Sequence, residues 1–145
     1  MAERPSNLTG AAGVFYTAAK LSELGFVVAP TLRNARGIDV LASNQKGKSV
    51  GIQVKTTTNK ESWMLGEKDE ENYSDNTVYV FVYLGEKVDY HIVPSRTVAT
   101  QIKEAHAEWL RTPGRKGQSH NETSMRRFWR KGNETYLEDW SVLGL

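Results

Sequence analysis

What this sequence lacks excludes several kinds of protein. Its 145 residues include no cysteine, which rules out a disulfide framework, a thiolate zinc site and a cysteine nucleophile. The longest apolar run, residues 78–84, is far too short to span a bilayer. The first ten residues carry no apolar stretch of the kind found in signal peptides, so we expect a cytoplasmic protein with no membrane partner.

Charge is distributed unevenly, although the net charge is only +2. Residues 111–131 contain seven basic side chains against one acid, Glu122, whereas residues 67–75 hold five acids and one lysine. A surface divided in this way can steer a polyanion to one side of a molecule. The alternative is a solvated face or a mobile loop. The length and ordinary composition predict one domain over residues 1–145.

The spacing of apolar residues predicts a first helix from about Asn7 or Thr9 to about Leu24. Asparagine or threonine can cap the start of a helix, and Gly25 stands where a left-handed C-terminal cap belongs. The residues expected on the buried face of this helix are Ala11, Val14, Phe15, Ala18 and Leu21.

The rest of the chain predicts five strands and a second helix. The helix opens at Pro94-Ser95, and its inner face would carry Val98, Ile102, Ala105 and Trp109. Segment 111–135 is basic and loop-rich. The predicted strands are 26–29, 38–44, 48–57, 77–84 and 89–93. This order predicts an α/β (α+β) fold, in which a central mixed β-sheet of about five strands is flanked by helices.

The register of the hairpin between the second and third strands follows from its turn. Gln45-Lys46-Gly47 suits a three-residue loop whose last residue is left-handed, a conformation that glycine adopts without strain. Asn44 then faces Lys48, and every pair on one face of the hairpin is apolar, as a core-facing surface requires. These pairs are Val40 with Ile52, Ala42 with Val50, and Ile38 with Val54.

The same register brings Asp39, Gln53 and Lys55 together on the other face of the hairpin. The Asp39 carboxylate, the Gln53 amide oxygen and the Val54 carbonyl would suit a hard cation such as Mg²⁺ or Mn²⁺. Lys55 could stabilise charge on a phosphate or orient an attacking water. Gly51 on this face would leave room for a ligand to approach the backbone. The alternative is a surface ion pair between Asp39 and Lys55, worth under about 1 kcal/mol.

Two short motifs, Gly37-Ile38-Asp39-Val40 and Ile52-Gln53-Val54-Lys55, resemble the PD-(D/E)xK (restriction-endonuclease-like) nuclease superfamily. They look like its variants with Q-x-K, familiar from Mrr-type restriction enzymes. Further likeness, to small bacterial proteins of unassigned role, extends through Trp63–Gly66, Tyr79–Val82, Ile92–Ser95 and Trp109-Leu110. The resemblance implies that Asp39, Gln53 and Lys55 are catalytic and that Asp39, Gln53 and Val54 hold the metal.

One position departs from the superfamily pattern. Many members carry a glutamate in the first helix, and its place here is taken by Val14, which lies on the apolar face. The one acid of the helix, Glu23, projects with Lys20 on a different face and is interpreted as the solvated partner of that lysine. The site would therefore contain one formal negative charge and bind Mg²⁺ or Mn²⁺ weakly without nucleic acid.

Two hypotheses about function follow. The first is a metal-dependent nuclease with a degenerate PD-(D/E)xK site. The second is a catalytically inactive module on the same fold that binds nucleic acid or a protein. The expected partner is nucleic acid, DNA ahead of RNA, and a homodimer is left open. Among the tryptophans, which could all stack on bases, Trp109 and Trp140 are expected in the core. The predicted nucleic-acid contacts are Arg33, Asn34, Arg36, Arg126, Arg127 and Arg130.

Overall fold

A computed structural model gives the structure of the chain and describes residues 3–32 and 37–145. The helices are α1 (Ser6–Glu23) and α2 (Ser95–Arg111). The strands are β1 (Val27–Pro30), β2 (Val40–Ser43), β3 (Ser49–Thr57), β4 (Ser62–Gly66), β5 (Thr77–Leu84), β6 (Val88–Pro94) and β7 (Met125–Trp129). Short 3₁₀ helices lie at Glu67–Glu70, Glu134–Tyr136 and Trp140–Leu143.

Five strands form one mixed sheet in the order β1-β2-β3-β5-β6. Strands β3 and β5 run parallel, and the other neighbours are antiparallel. A helix covers each face of this sheet, so the predicted α+β fold with a central mixed five-stranded sheet is confirmed. Neither helix in the described part of the chain is long and apolar enough to cross a membrane.

Each face of the sheet carries its own apolar cluster. The α1 face is built from strand residues that point toward that helix: Val40, Ala42, Val50, Ile52, Val54, Val80, Val82 and Ile92. The opposite face packs against α2 and against a two-stranded ribbon of β4 and β7, through Trp63, Tyr79, Phe81, Val98, Ile102 and Phe128. Strand β5 contributes to both clusters, which explains its nearly unbroken apolar sequence.

The hairpin register is confirmed, because Val40 pairs with Ile52 and Ala42 pairs with Val50. Gly47 has φ +83°, the left-handed conformation that the three-residue loop requires. The backbone of Asn44 donates to the Lys48 carbonyl at 2.9 Å and closes the loop. Register therefore follows from turn chemistry together with the apolar pattern of one face.

Helix α1 ends as predicted but packs differently. Gly25 has φ +92°, and the Phe26 N–H donates to the Leu21 carbonyl at 3.0 Å in a left-handed C-terminal cap. No side chain caps the helix start at Ser6. The buried residues are Gly13, Thr17 and Leu21, while Phe15 is 69% exposed. The predicted burial of Ala11 and Phe15 was wrong.

The reason is the close approach of α1 to β3 at Gly13. A Cβ on Gly13 would lie 1.7 Å from Thr56 Oγ1, so the helix packs through the position that has no side chain. Centring the contact on Gly13 and Thr17 turns Ala11 and Phe15 outward. The hydrophobic pattern alone predicts a different buried face of α1, because it does not show where the helix backbone can approach the sheet.

Segment 111–135 contains the strand β7, which pairs with β4 in an antiparallel ribbon. The connection from α2 to β7 is loop, as expected for this segment. Trp109, predicted on the inner face of α2, is 40% exposed and stacks on His120 with ring centroids 4.1 Å apart. Trp140 packs against the α1-side cluster, in agreement with its predicted place in the core.

A buried histidine on β6 makes the stability sensitive to pH. His91 is 1% exposed and packs edge-on against Trp63, and its Nδ1 has no hydrogen-bond partner among the described residues. Burial lowers the pKa of His91, the Arg130 charge lowers it further, and Asp89 and Glu134 raise it only partly back. The imidazole is therefore neutral in the fold over a pH range in which the unfolded chain binds a proton.

We expect the free energy of unfolding to fall as pH drops below about 6.5, by at most about 1.4 kcal/mol per pH unit from this histidine. The unfolded state binds the additional proton there, so stability is complete above that pH and declines below it. Urea unfolding at several pH values measures this decline. His91→Gln should flatten it, and an unchanged pH dependence in that variant would contradict the assignment to His91.

Candidate active site

Asp39 is held at the start of β2 by three hydrogen bonds. Its N–H donates to the Ile52 carbonyl at 2.8 Å, and its carbonyl accepts from the Thr31 N–H at 2.9 Å. Its carboxylate oxygen Oδ2 accepts from the Val54 N–H at 2.8 Å. The other oxygen, Oδ1, has no hydrogen-bond partner within the described residues. The Oδ2 oxygen of the carboxylate is thus structural.

The chain bends at Asp39, and this bend corrects two details of the predicted hairpin. The β2–β3 ladder ends at Val40 and Ile52, and Val54 uses its N–H for the Asp39 carboxylate, so Ile38 and Val54 do not pair. Ile38 instead covers Gly51, with its Cδ1 2.9 Å from where a Cβ of Gly51 would lie. The space above Gly51 is filled by protein and is not open to a ligand.

The side-chain amide of Gln53 can be placed in two orientations, which differ in the hydrogen bonds that they make. In one assignment its oxygen accepts from Asn72 Nδ2 at 2.9 Å. In the other, the oxygen accepts from Lys55 Nζ at 3.3 Å, and the nitrogen donates to the Gly37 carbonyl at 3.2 Å and the Tyr79 hydroxyl at 3.1 Å. We adopt the second assignment because it satisfies more of the surrounding polar groups.

Lys55 is paired with Asp69, an acid that the sequence analysis did not identify. The Lys55 Nζ lies 3.7 Å from Asp69 Oδ2, and the alternative of an Asp39–Lys55 ion pair is not observed. Asp69 is 1% exposed, and it also accepts from the Tyr79 hydroxyl at 2.8 Å and the Gly66 N–H at 2.9 Å. Burial, and then the Asp69 charge, raise the pKa of Tyr79, so its hydroxyl remains a donor at neutral pH.

Gln53, Lys55, Asp69 and Tyr79 therefore form a closed ring of polar contacts, which we call the Lys55 ring. Each member contacts the next: Gln53 with Lys55, Lys55 with Asp69, Asp69 with Tyr79, and Tyr79 with Gln53. A network in which every polar group has a partner restrains the rotamers of its members. Beside it lies a small cavity of about 50 Å³, lined in part by Gly37, Gln53 and Tyr79.

The signal that could have identified Asp69 is local. Asp69 follows Gly66 by three residues and caps a short turn, a pattern typical of an N-terminal helix cap. The burial of Asp69 was not predicted, because five acidic residues in 67–75 indicate a solvated surface. Its burial depends on β4 and on Tyr79 of β5, which only the fold brings together.

Helix α1 contributes no acid to the site. Val14 packs against the α1-side cluster, and Glu23 forms an ion pair with Lys20 at 3.1 Å. In the part of the chain that the structure describes, no group of three His, Cys, Asp or Glu residues could hold a metal ion. A cation at this site would have Asp39 as its anionic ligand, with neutral oxygens from Gln53 and Val54.

The basic residues predicted to contact nucleic acid have different surroundings. Arg33, Asn34 and Arg36 lie outside the described residues. Arg126 is 7% exposed and donates to Glu70 at 2.6 Å, which favours a structural role.

Arg130 is half-buried and also has structural partners. It donates to both Asp89 carboxylate oxygens at 3.1 Å and lies over the ring of Trp63. Arg127 is exposed, donates to Ser62 Oγ at 3.0 Å, and forms no ion pair within residues 3–32 and 37–145. Contact of these arginines with nucleic acid stays a prediction, and Arg127 has the most accessible charge of the three.

Together, the mixed sheet and its two covering helices form an α+β fold. A solved structure with this fold is that of a bacterial homing endonuclease, I-Ssp6803I, with a TM-score of 0.61 and 12% sequence identity. The match covers 98% of this chain and 94% of that chain. At this identity the likeness shows the fold alone. No protein-family model matches the sequence, and no curated protein matches it.

Proposed function

We propose that the chain is a metal-dependent nuclease of the PD-(D/E)xK type with Gln53 in the position of the second acid. The observation that supports this proposal is that Asp39 bonds the two residues flanking Gln53, through its N–H to the Ile52 carbonyl and through its carboxylate to the Val54 N–H. Three hydrogen bonds hold Asp39 in place, and the Lys55 ring restrains the side chains of Gln53 and Lys55. We propose nucleic acid, and DNA in the first place, as the substrate.

Each residue has a role that its contacts support. The Oδ1 oxygen of Asp39 would provide the anionic ligand. Lys55, oriented by Asp69, would place a positive charge where a phosphodiester develops negative charge during hydrolysis. Gln53 would act as a neutral ligand or as a positioning residue for Lys55. Such preorganised charge stabilises the transition state because the protein does not reorganise at the moment of reaction.

The donor set fits a divalent cation that is shared with the substrate, and not one held by the protein alone. Asp39 supplies one carboxylate, and Gln53 and Val54 supply carbonyl oxygens, while the Gln53 oxygen already accepts from Lys55. Mg²⁺ commonly binds through one or two carboxylates together with substrate phosphate. When bound, the cation would polarise the phosphate oxygens as a Lewis acid.

The second candidate function is a catalytically inactive module that binds nucleic acid or a protein. Two observations favour it. Helix α1 carries Val14 in place of an acid, and Lys55 already neutralises the buried Asp69. Under this alternative the Lys55 ring is a structural network. Both candidates leave open whether the chain forms a homodimer, which light scattering tests.

A cleavage assay with a matched pair of lysine variants distinguishes the two candidate functions. We expect wild-type protein to cleave DNA with Mg²⁺ or Mn²⁺, and Lys55→Met to reduce the rate by about a hundredfold, since one preorganised charge contributes that much. Lys48→Met, at the exposed end of the same hairpin, should cleave like wild type. Labelled plasmid, duplex, single-stranded DNA and RNA substrates measure the rates.

Either of two outcomes would count against the nuclease. Cleavage that persists in Lys55→Met and in Asp39→Ala would place the activity elsewhere. No cleavage of any substrate by the wild type, combined with binding that weakens as salt rises, would support the inactive nucleic-acid-binding module.

A further inference from the structure

The basic strand β7 has two different faces. Arg126 and Phe128 point into the protein, where the arginine meets Glu70 and the phenylalanine stacks on Phe81 with centroids 4.2 Å apart. The alternate residues Met125, Arg127 and Trp129 point outward. Met125 is 44% exposed and Trp129 is 45% exposed. Arg127 lies between them. The outer face of β7 therefore presents a guanidinium flanked by two apolar groups.

This outer face borders a groove against helix α2. The groove encloses about 430 Å³, and its lining includes Ala105, His106, Trp109, Met125, Arg127 and Trp129. We call it the α2–β7 groove. Trp109 is stacked on His120, whose Nδ1 lies 2.7 Å from the Trp109 carbonyl, so the ring is held in position. Trp129 makes no aromatic contact within the described residues.

The charges around the groove favour an anionic ligand. Arg127 and Lys131 form no ion pairs in the part of the chain that the structure describes, and both border the groove or the cavity of about 530 Å³ that continues it. The carboxylates lining that second cavity are Glu104 and Glu108, and Glu108 is paired with Arg111 at 2.6 Å. The unpaired cations thus outnumber the unpaired acids.

The groove is linked to the candidate active site through one short segment of the chain. Arg126 lines it and bonds to Glu70, and the residue before Glu70 is Asp69, the partner of Lys55. This segment connects the groove to the proposed cleavage site without any residue being shared between them.

We propose that the α2–β7 groove binds unpaired bases of single-stranded nucleic acid. Exposed tryptophans offer flat surfaces on which bases of any sequence stack, and a neighbouring arginine can contact the phosphate. Trp129 would take a base, and Arg127 the adjoining phosphate. Paired bases within a duplex do not present their flat faces, so the groove selects single strands. The proposal deepens the proposed function and rests on it for its biological role, while the binding itself is tested separately.

Binding of a short fluorescein-labelled oligothymidylate, measured by fluorescence anisotropy in EDTA, tests the groove without cleavage. Trp129→Ala should weaken binding by about tenfold, the effect expected of one stacked base. Phe15→Ala removes an aromatic side chain that is 69% exposed on α1 and serves as the matched control, with wild-type affinity expected. A duplex of the same length should bind more weakly than the single strand.

Arg127→Gln provides a second readout that does not depend on the tryptophan. Loss of one phosphate contact should reduce the slope of log affinity against log salt by about 0.7. Lys48→Gln, at the far end of the hairpin, should leave the slope unchanged. An unaltered slope in Arg127→Gln, wild-type affinity in Trp129→Ala, or preference for duplex would each overturn the proposal.

A failure of the groove proposal in these binding experiments is distinguishable from a failure of the nuclease proposal. Single-strand binding that depends on Trp129 and Arg127, without cleavage, would uphold the groove and reject the nuclease. Cleavage that depends on Lys55, without single-strand binding in the groove, would uphold the nuclease and reject the groove.

Discussion

Asp39→Asn is expected to lower the rate of phosphodiester cleavage by about a hundredfold or more and to leave the protein folded. The asparagine side chain keeps a carbonyl oxygen that can accept the Val54 N–H, which Asp39 Oδ2 accepts at 2.8 Å. The negative charge, which is the part of Asp39 proposed for catalysis, is lost. Initial cleavage rates with Mg²⁺ and urea unfolding measure the two properties on the same preparation.

Asp39→Ala is the comparison that separates chemistry from structure. It removes the charge and also the acceptor, leaving the Val54 N–H without its partner, and should lower the free energy of unfolding by about 1–3 kcal/mol. If Asp39→Asn retained wild-type cleavage, the charge of Asp39 would have no part in the reaction. If it unfolded as easily as Asp39→Ala, the acceptor role of the side chain would be wrong.

Gly13→Ala is expected to destabilise the protein although alanine is the better helix former. The new Cβ would lie 1.7 Å from Thr56 Oγ1 and 2.8 Å from Thr56 Cβ, so rotation of the threonine cannot relieve the clash. Overpacking of this kind costs about 1–3 kcal/mol. The higher helix propensity of alanine offsets at most about 1 kcal/mol of that cost. Urea unfolding measures the net loss.

Gly10→Ala is the matched control on the same helix. No atom lies within 4 Å of a Cβ at Gly10, so alanine there gains helix propensity without a clash. We expect a gain in the free energy of unfolding of up to about 1 kcal/mol. Equal effects of the two substitutions would show that α1 does not pack on β3 through Gly13.

The β2–β3 hairpin could be predicted because its determinants are local. The turn residues ending in Gly47 set the loop length, and the alternation of apolar residues set which face is buried. Both kinds of information lie within about 20 consecutive residues of sequence. The same locality made Gly25 predictable as the end of α1.

Features that depend on distant parts of the chain were not predictable. Arg126 and Arg127 are adjacent and chemically identical, yet one is buried against Glu70 and the other is exposed. The alternation of β7 assigns them to opposite faces, and only its pairing with β4 determines which face is inside. A basic run in the sequence therefore overstates the charge available to a ligand.

The sequence by itself determined the class of fold and the hairpin register, and it singled out Asp39, Gln53 and Lys55 as candidate site residues. Period-two and helical patterns, turn glycines and a short motif carry that information locally. Only the tertiary structure decided that Asp69 is buried beside Lys55. Burial of a charge depends on which side chains surround it, and those of Asp69 come from β3, β4 and β5, which are separated along the chain and adjacent only in the fold.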